Sequence, residues 1–350
     1  FYDNDRLAAQ QESRETYNVQ LDYKRKISQR VSLDAGAEYA HVTNNELFYA
    51  PGSPNSADEN YNGNTLSGYV ESTMEFNDKW NMAAGINLHN YKRSFADDIH
   101  TQAFNFYPKL NISYAINELN TLKWSYSSYI NNPSLWQMLS FTKEDSPGLF
   151  YKGNPYLKPE KHSTWSMEYS YSKGDFYYAH SVYLKEARNK IQKVIYPEAD
   201  YSLEGYVNLN KRHDYGTDFT LSWGLVKWWS INAYMDLTYR NIPDNAYYKN
   251  NLFSYSGQIQ SSWGLLPKLS LTVQYMHNSK ELVYNGYSKS YNSSLIVLSY
   301  DLLDNLSLYF LAIEPLAKFE SYSKLFSADS FIERRNNIKT RTYLVSFTYN

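Results

Sequence analysis

The chain has 350 residues with a formal net charge of -2, and it contains no cysteine. The near-neutral charge excludes a broad basic surface for nucleic acid, and the lack of cysteine excludes thiolate catalysis and disulfides. Aromatic residues make up 17% of the chain, and tyrosine alone supplies 37 residues. Tyrosine favours β-strands and suits a membrane–water boundary, because its ring is apolar and its hydroxyl is polar.

Apolar and polar residues alternate along most of the chain with the period of two that predicts β-strands. In the segment from Trp229 to Arg240 one face reads Trp, Ile, Ala, Met, Leu, Tyr, and the other reads Ser, Asn, Tyr, Asp, Thr, Arg. No stretch has helical periodicity, and none approaches the roughly 18 apolar residues of a membrane-spanning helix. We predict about fifteen strands, at 12–25, 30–42, 64–76, 80–92, 104–117, 120–130, 161–173, 176–188, 205–224, 227–242, 251–264, 268–280, 286–301, 305–315 and 338–349.

The predicted strands are longer than those of soluble proteins, which mostly have about 5–6 residues. Tight turns are predicted at 77–79, 117–120, 173–175, 265–267 and 301–305, whereas long polar loops are predicted at 43–64, 131–161, 188–214 and 314–339. Outer-membrane barrels have short periplasmic turns and long extracellular loops. We therefore predict an all-β fold, a transmembrane antiparallel up-and-down β-barrel with its apolar side chains facing lipid. A soluble β-sandwich or propeller is the alternative.

Three segments carry a specific resemblance: Phe106–Tyr114 (FYPKLNISY), Asn132-Pro133-Ser134, and Gly153–Glu160 (GNPYLKPE). In this order they resemble the barrel of TonB-dependent outer-membrane receptors, especially the outer-membrane β-barrel family common in Bacteroidetes. Asn132 stands where Arg commonly precedes the Pro-Ser pair. Pro159 stands where the glycan importers of the family usually carry Trp, which favours another branch.

The resemblance implies a bacterial outer-membrane protein with about 22 strands around an N-terminal plug domain. Residues 1–350 then form one partial barrel domain, with about 15 of those strands present and no plug visible. The odd number of strands supports this expectation, because complete single-chain barrels have an even number. The implied function is uptake of a scarce nutrient, such as an iron chelate, a peptide or a glycan. The implied partners are TonB, the plug, lipid with lipopolysaccharide, and a surface lipoprotein.

A second function remains open, which is a barrel that serves as a structural or assembly component of an outer-membrane complex without transport. An enzyme is not expected, because none of the seven histidines belongs to a metalloprotease, hydrolase or phosphate-loop motif. No cofactor is expected either. Asp97, Asp98 and His100 have ligand chemistry for a divalent metal, but we interpret them as a solvated loop.

The motif from Gly153 to Glu160 has a structural interpretation. The two prolines cannot donate to a β-ladder and push their preceding residues toward extended backbone, and Gly153 permits a positive φ. We predict a rigid descent from a long loop into the next strand, built by Gly153, Asn154, Pro155, Leu157, Pro159 and Glu160.

Loop aromatics are the candidates for ligand binding, since exposed rings stack on sugars, catechols and peptide side chains. The predicted binding residues are Trp136, Phe150, Tyr151 and Tyr156. The alternative is that these rings pack within their own loops or join the interfacial aromatic belt. Arg334, Arg335 and Lys339 form a basic cluster with the charge to attract an anionic ligand or lipopolysaccharide phosphate, although a solvated loop is the simpler interpretation.

Overall fold

The computed structural model describes residues 9–49, 57–95, 99–139, 142–146, 148–197, 201–245, 247–316, 321–326, 331–336 and 341–349. These residues form strands joined by turns, with one single-turn helix, α1 (Leu135–Met138). The strands, in chain order, are β1 (Ala9–Lys26), β2 (Val31–Tyr49), β3 (Ala57–Glu75), β4 (Trp80–Phe95), β5 (Ile99–Asn117), β6 (Asn120–Asn131), β7 (Thr142–Ser146), β8 (Leu149–Lys152), β9 (Glu160–Lys173), β10 (Phe176–Pro197), β11 (Ser202–Val226), β12 (Trp229–Asn241), β13 (Asn251–Leu266), β14 (Leu269–Asn278), β15 (Glu281–Val283), β16 (Gly286–Ser288), β17 (Tyr291–Leu303), β18 (Leu306–Ile313), β19 (Ser321–Phe326), β20 (Phe331–Asn336) and β21 (Thr342–Tyr349).

Each of the fifteen predicted strands is present, so the all-β prediction is confirmed. Two of the predicted long loops are wrong over most of their length. The loop predicted at 43–64 is largely strand, because β2 and β3 stay paired up to Phe48 and Ala57. The loop predicted at 188–214 is likewise occupied by β10 and β11. The backbone ladder continues beyond the membrane, where both faces meet water and the apolar alternation is no longer required.

The chain divides into two compact units, and the first comprises residues 1–113, 125–164 and 186–211. Its first four strands form an antiparallel meander in which β1 pairs with β2, β2 with β3, and β3 with β4. The register aligns Gln20, Glu38, Ser67 and His89 in one row across the four strands. This row lies on the polar face of the meander, because residues two apart along a strand share a face.

The second unit comprises residues 114–124, 165–185 and 212–350. Its antiparallel meander runs through β11, β12, β13, β14, β17, β18 and β21, each paired with the next. A register shift interrupts three of these ladders, next to Gly224, Gly264 and Asp301. All three shifts lie beside a short turn, where a bulge increases the local twist.

The predicted short turns are present, and two of them share one mechanism. The Asn77 side-chain oxygen accepts hydrogen bonds from the backbone N–H groups of Lys79 and Trp80, at 2.9 and 3.0 Å. Asn117 does the same for Leu119 and Asn120, at 3.0 Å each. An asparagine that bonds the backbone two and three residues ahead closes a tight reversal without help from the rest of the protein.

Apolar side chains cover the outer face of the strands. On β13 the side chains of Phe253, Tyr255 and Ile259 are 56%, 46% and 50% exposed. The other face carries Ser254, which is buried, and Gln258. Large apolar side chains exposed in rows require an apolar surrounding, because in water they favour burial. No helix in the described residues is long and apolar enough to cross a membrane.

Candidate functional site

The candidate site in the first unit begins at the Asn-Pro-Ser motif, which opens helix α1. The Ser134 hydroxyl accepts a hydrogen bond from the Gln137 backbone N–H at 3.3 Å, and the Gln137 side-chain oxygen accepts one from the Ser134 N–H at 2.9 Å. This reciprocal capping box stabilises the first turn of a helix. Our sequence interpretation missed the helix, although the Ser-x-x-Gln spacing was its visible signal.

Gly153 is required by close packing against α1 and not by its own backbone angle. A Cβ at this position would lie 2.3 Å from the Leu139 carbonyl oxygen and 2.9 Å from that of Gln137. Positive φ among the described glycines occurs at Gly148 and Gly174. The positive φ that glycine permits is not used at Gly153, and the lack of a side chain is what the motif requires.

Two asparagines fasten the motif to neighbouring backbone. The Asn154 N–H donates to the Gln137 carbonyl at 2.8 Å, and the Asn154 amide group donates to the Tyr206 carbonyl at 3.0 Å. Asn208, on β11, accepts from the Lys158 N–H and donates to the Lys158 carbonyl, each at 2.8 Å. Since the Leu157 N–H also donates to the Asn154 carbonyl at 3.3 Å, the segment turns at Pro155 and Tyr156, and these bonds fix the backbone on both sides of the turn.

Glu160 ends the motif and starts β9, with a carboxylate that is almost fully buried. One carboxylate oxygen accepts from the Ile191 N–H at 2.7 Å and from Lys190 at 2.9 Å. The other bonds His162 at 2.8 Å and Asn131 at 3.3 Å. A buried charge with four partners from three strands connects elements that lie far apart in sequence.

Glu160 lies beyond the membrane-spanning part of β9, since about 9–11 residues cross the membrane from the short turn at Gly174. Burial acts to raise the pKa of its carboxyl group. The hydrogen bonds from His162 and Lys190, the Lys190 charge and the Ile191 N–H outweigh burial and lower this pKa to about 2. The carboxylate is therefore charged at every physiological pH.

The rings of Trp136, Tyr151 and Tyr206 form a group that we call the loop platform. Trp136 stacks on Tyr151 with centroids 5.0 Å apart and an interplanar angle of 11°. The Tyr151 hydroxyl donates to the Trp136 carbonyl, and Tyr151 meets Tyr206 edge-on at 6.1 Å. Tyr151 is buried, whereas the Trp136 side chain remains 37% exposed.

The other two predicted binding residues flank this group. Phe150 meets the ring of Tyr201 edge-on at 5.1 Å. Tyr156 is 73% exposed, and its backbone N–H is held by the Asn154 side chain at 3.0 Å. Of the four predicted residues, Trp136 and Tyr156 thus present ring surface for contact with a ligand, and their binding role stays a prediction.

The second unit contains an ordered loop structure that the sequence did not predict. Strands β15, β16, β19 and β20 pair antiparallel in a separate four-stranded sheet, which we call the loop sheet. Arg240 anchors it: its guanidinium donates to Asp214 at 3.0 Å and to the carbonyl of the buried Leu282 at 3.1 Å. This charged pair, at the end of the ladder between β11 and β12, therefore positions β15.

Lysines and aromatic rings alternate across the loop sheet. The Lys280 ammonium lies 3.5 Å from the Tyr287 ring centroid and donates to the Tyr248 hydroxyl at 2.8 Å. Lys289 lies 3.9 Å above Tyr322, where burial and a hydrogen bond with Glu333 raise the tyrosine pKa to about 12. Cation–π contacts of this kind fix the positions of the cations. Lysines and tyrosines interleave in residues 280–289 and 321–324, and this pattern was the visible sequence signal for the loop sheet.

Three of the remaining sequence candidates lie on strands, with Arg334 and Arg335 on β20 and His100 on β5. Arg335 is within 3.4 Å of Glu333 and 5.4 Å above the Tyr322 ring, so it belongs to the loop sheet, and Arg334 also interacts within the protein. Lys339, Asp97 and Asp98 lie outside the described residues. The described part of the chain holds no group of three or more His, Asp or Glu side chains placed for a metal.

The geometry combines long strands with exposed apolar faces and two ordered loop structures. Residues 2–349 match the outer membrane protein beta-barrel family. The chain belongs to this family. The predicted β-barrel class and bacterial outer-membrane location are thereby confirmed. No curated protein matches the chain.

Solved structures show the same fold. The copper transporter OprC superposes with a TM-score of 0.75 at 12% identity, over 98% of this chain and 57% of that one. The siderophore receptor PirA from Pseudomonas aeruginosa gives 0.69 at 17% identity, over 97% and 57%. The ferric-catecholate import receptor Fiu from E. coli K12 gives 0.69 at 13%, over 97% and 54%. This chain therefore spans little more than half the length of these receptors.

Proposed function

We propose that this chain is the barrel portion of a TonB-dependent receptor that takes up a scarce nutrient across the outer membrane. The observation that carries the proposal is the fold, which matches transporters and import receptors for metals and metal chelates over nearly the whole chain. Fold similarity at this identity does not transfer a substrate. The substrate class is therefore a separate part of the proposal. We place an iron chelate first, because two of the structures named above are receptors for siderophores or ferric catecholates. A peptide and a glycan are the other candidates.

In this proposal the ordered loops capture the substrate. Trp136 and Tyr156 offer exposed rings, and the backbone that carries them is fixed by the bonds of Asn154. A fixed aromatic surface binds more tightly than a mobile one, because less conformational entropy is lost on binding. After capture, TonB acts on a plug domain from the periplasm to open the passage.

The test uses a strain that lacks the native gene and expresses either the natural full-length protein or a variant. The probes are ferric complexes of a catecholate and a hydroxamate chelator, a defined peptide mixture and an oligosaccharide mixture, each as the sole source of iron, amino acids or carbon. We expect growth on one iron complex to require the gene and to stop on deletion of tonB. Growth that is independent of tonB would contradict energised import and favour a structural barrel.

Binding to whole cells then tests the loop aromatics. Trp136→Ala and Tyr156→Ala should each weaken binding of the transported complex about tenfold, the effect of losing one aromatic contact of roughly 1.4 kcal/mol. Tyr23→Ala is the matched control, because Tyr23 is an exposed ring near the short turn after β1. Equal affinity for all three variants would remove these loops from substrate capture.

A further inference from the structure

The outer face of the first unit contains a groove of about 420 Å3, lined by residues of β5, β6, β9 and β10. The rings of Phe104 and Phe106 form its apolar part and are 65% and 62% exposed. Tyr107, the next residue along β5, is buried. Because residues two apart along a strand share a face, both phenylalanines lie on the outer side of the strand, which meets lipid.

The height of the groove follows from the lengths of its strands. Strands β6 and β10 begin after short turns, at Asn120 and Phe176. Short turns lie on the periplasmic side of an outer-membrane barrel, and about 9–11 residues of a strand cross the membrane. The two strands therefore reach the outer side close to Ser128 and Glu186, which both line the groove. The groove lies at the outer boundary of the lipid.

Two cations, Lys161 on β9 and Arg188 on β10, line the groove together with the phenylalanines. Both lie on the outer face, because they alternate in phase with exposed apolar residues of their own strands: Trp165, Met167 and Val182. Lys161 is exposed and forms no hydrogen bond or ion pair with any residue that the structure describes. Its ammonium group is therefore available to a ligand.

The backbone of β10 keeps Arg188 at the groove. Asn189 has a positive φ of 53°, which breaks the alternation of the strand directly after Arg188. Lys190 then bonds the buried carboxylate of Glu160 at 2.9 Å, on the other face. Arg188 donates through Nε to Glu186, which uses one of the five N–H donors of a guanidinium. The terminal nitrogens carry the other four donors.

We propose that this groove binds the phosphorylated headgroup of a lipid of the outer leaflet. Among the described residues that line the groove, Lys161 and Arg188 are positive and Glu186 is negative, so the lining carries a net positive charge. Guanidinium and ammonium groups form strong, charge-assisted hydrogen bonds to phosphate oxygens.

The apolar part of the groove decides between a lipid and a free anion. Phe104 and Phe106 offer surface to acyl chains next to the cations, which matches a molecule that joins an anionic group to hydrocarbon. A free phosphate would leave these rings without a partner. The proposal rests on the outer-membrane location and not on the receptor function proposed above.

The test uses the natural full-length protein in a neutral detergent, and native mass spectrometry counts the bound lipid. Diphosphoryl lipid A is the probe, dephosphorylated lipid A tests the headgroup, and inorganic phosphate tests the anion alone. Lys161→Gln and Arg188→Gln remove the charges of the groove. Lys211→Gln is the matched control, because Lys211 is an exposed lysine on β11 that does not line the groove. Heat-dependent gel mobility checks that each variant is folded.

Each of Lys161→Gln and Arg188→Gln should weaken binding of diphosphoryl lipid A about fivefold, the contribution of one cation near a membrane surface. The double variant should weaken binding about 25-fold if the two contributions add. Lys211→Gln should bind like the native protein. Dephosphorylated lipid A should bind weakly and should not respond to any of these substitutions.

A second pair of variants tests the apolar part of the groove. Phe106→Ala should weaken binding of diphosphoryl lipid A, whereas Phe253→Ala, which removes an exposed ring from the outer face of β13, should not. An equal loss in Lys211→Gln would overturn the proposal, because general surface charge would then explain the binding. Displacement of the lipid by an equal concentration of inorganic phosphate would overturn it as well, because the occupant would then be a free anion.

Discussion

Strand β13 and the loop segment from Ser134 to Glu160 bury their side chains in opposite senses. On β13 the apolar residues are outside, with Ile259 50% exposed. In the loop segment the aliphatic residues Leu139 and Leu157 are inside, at 1% and 5% exposed. The difference follows from the solvent, since lipid surrounds the strands and water surrounds the loops. Apolar side chains therefore face outward on the strands and inward in this loop segment. Glu160 lies where the loop segment ends and strand β9 begins.

Breaking the junction between these regions should have the largest effect. Glu160→Ala leaves Lys190 and the Ile191 N–H without their buried partner, and we expect a loss of about 3–5 kcal/mol in the free energy of unfolding. The measurement is urea unfolding in lipid vesicles. Glu168→Ala is the matched control on the same strand, because Glu168 pairs with Lys123 in a more exposed ion pair at 3.3 Å that contributes about 0–1 kcal/mol. Equal losses would show that burial of Glu160 contributes nothing.

The pH dependence of stability, compared between the native protein and Glu160→Ala, gives a second test of the same carboxylate. The pKa of Glu160 is lowered from 4.5 to about 2 by folding. Its stabilising contribution is therefore complete above pH 4.5 and declines as the pH falls toward 2. The difference in unfolding free energy between the native protein and Glu160→Ala should be constant from pH 8 to about 5 and shrink below that. A difference that grows on acidification would reverse the sign and refute the assignment.

The second largest effect tests the lipid-facing rule. Ile259→Arg puts a charge on the outer face near the middle of β13, and we expect a loss of about 2–4 kcal/mol when the protein is folded into lipid vesicles. Gln260→Arg is the control, because the neighbouring residue points to the polar face and should tolerate the change. If Gln260→Arg were the more destabilising substitution, the assignment of the two faces would be inverted.

The smallest effect concerns the water-facing loop. Ser134→Ala removes the cap of α1 and should cost about 1 kcal/mol locally. Hydrogen exchange at the Gln137 amide should become about fivefold faster, while the amides of β13 should not change. Ser134→Asp retains an oxygen acceptor and should restore the slow rate. Faster exchange throughout the strands would mean that the loop segment and the strands unfold as one unit.

Much of the strand arrangement could be predicted from the sequence, because the signal is local. The alternation of apolar and polar residues predicts the ends of β12 and β13 to within a few residues. Asn77 and Asn117 mark two tight turns, which their own side chains close. Loop structure was predicted poorly. The paired ends of β2 and β3 are rich in Asn, Asp and Glu and resemble a loop in sequence, although their backbones are fully paired.

The candidate site shows the same division. The sequence identified the Gly153–Glu160 motif and its rigidity, but it assigned the wrong reason to Gly153, whose constraint is the backbone of Leu139. It singled out Trp136 and Tyr151 without revealing that they stack on each other. The loop sheet was not predicted, because it forms between segments about 40 residues apart.

By itself, the sequence determined which residues form strands, which face of each strand meets lipid and to which family the chain belongs. These properties depend on a repeat of two residues and on short motifs, and both are visible within a few positions. The tertiary structure alone decided where Glu160 finds Lys190 and Ile191, why Gly153 has no side chain and which cations line the groove beside Phe106. The physical reason is that these contacts join residues from separate strands, and their partners are set by register and packing, which no local pattern specifies.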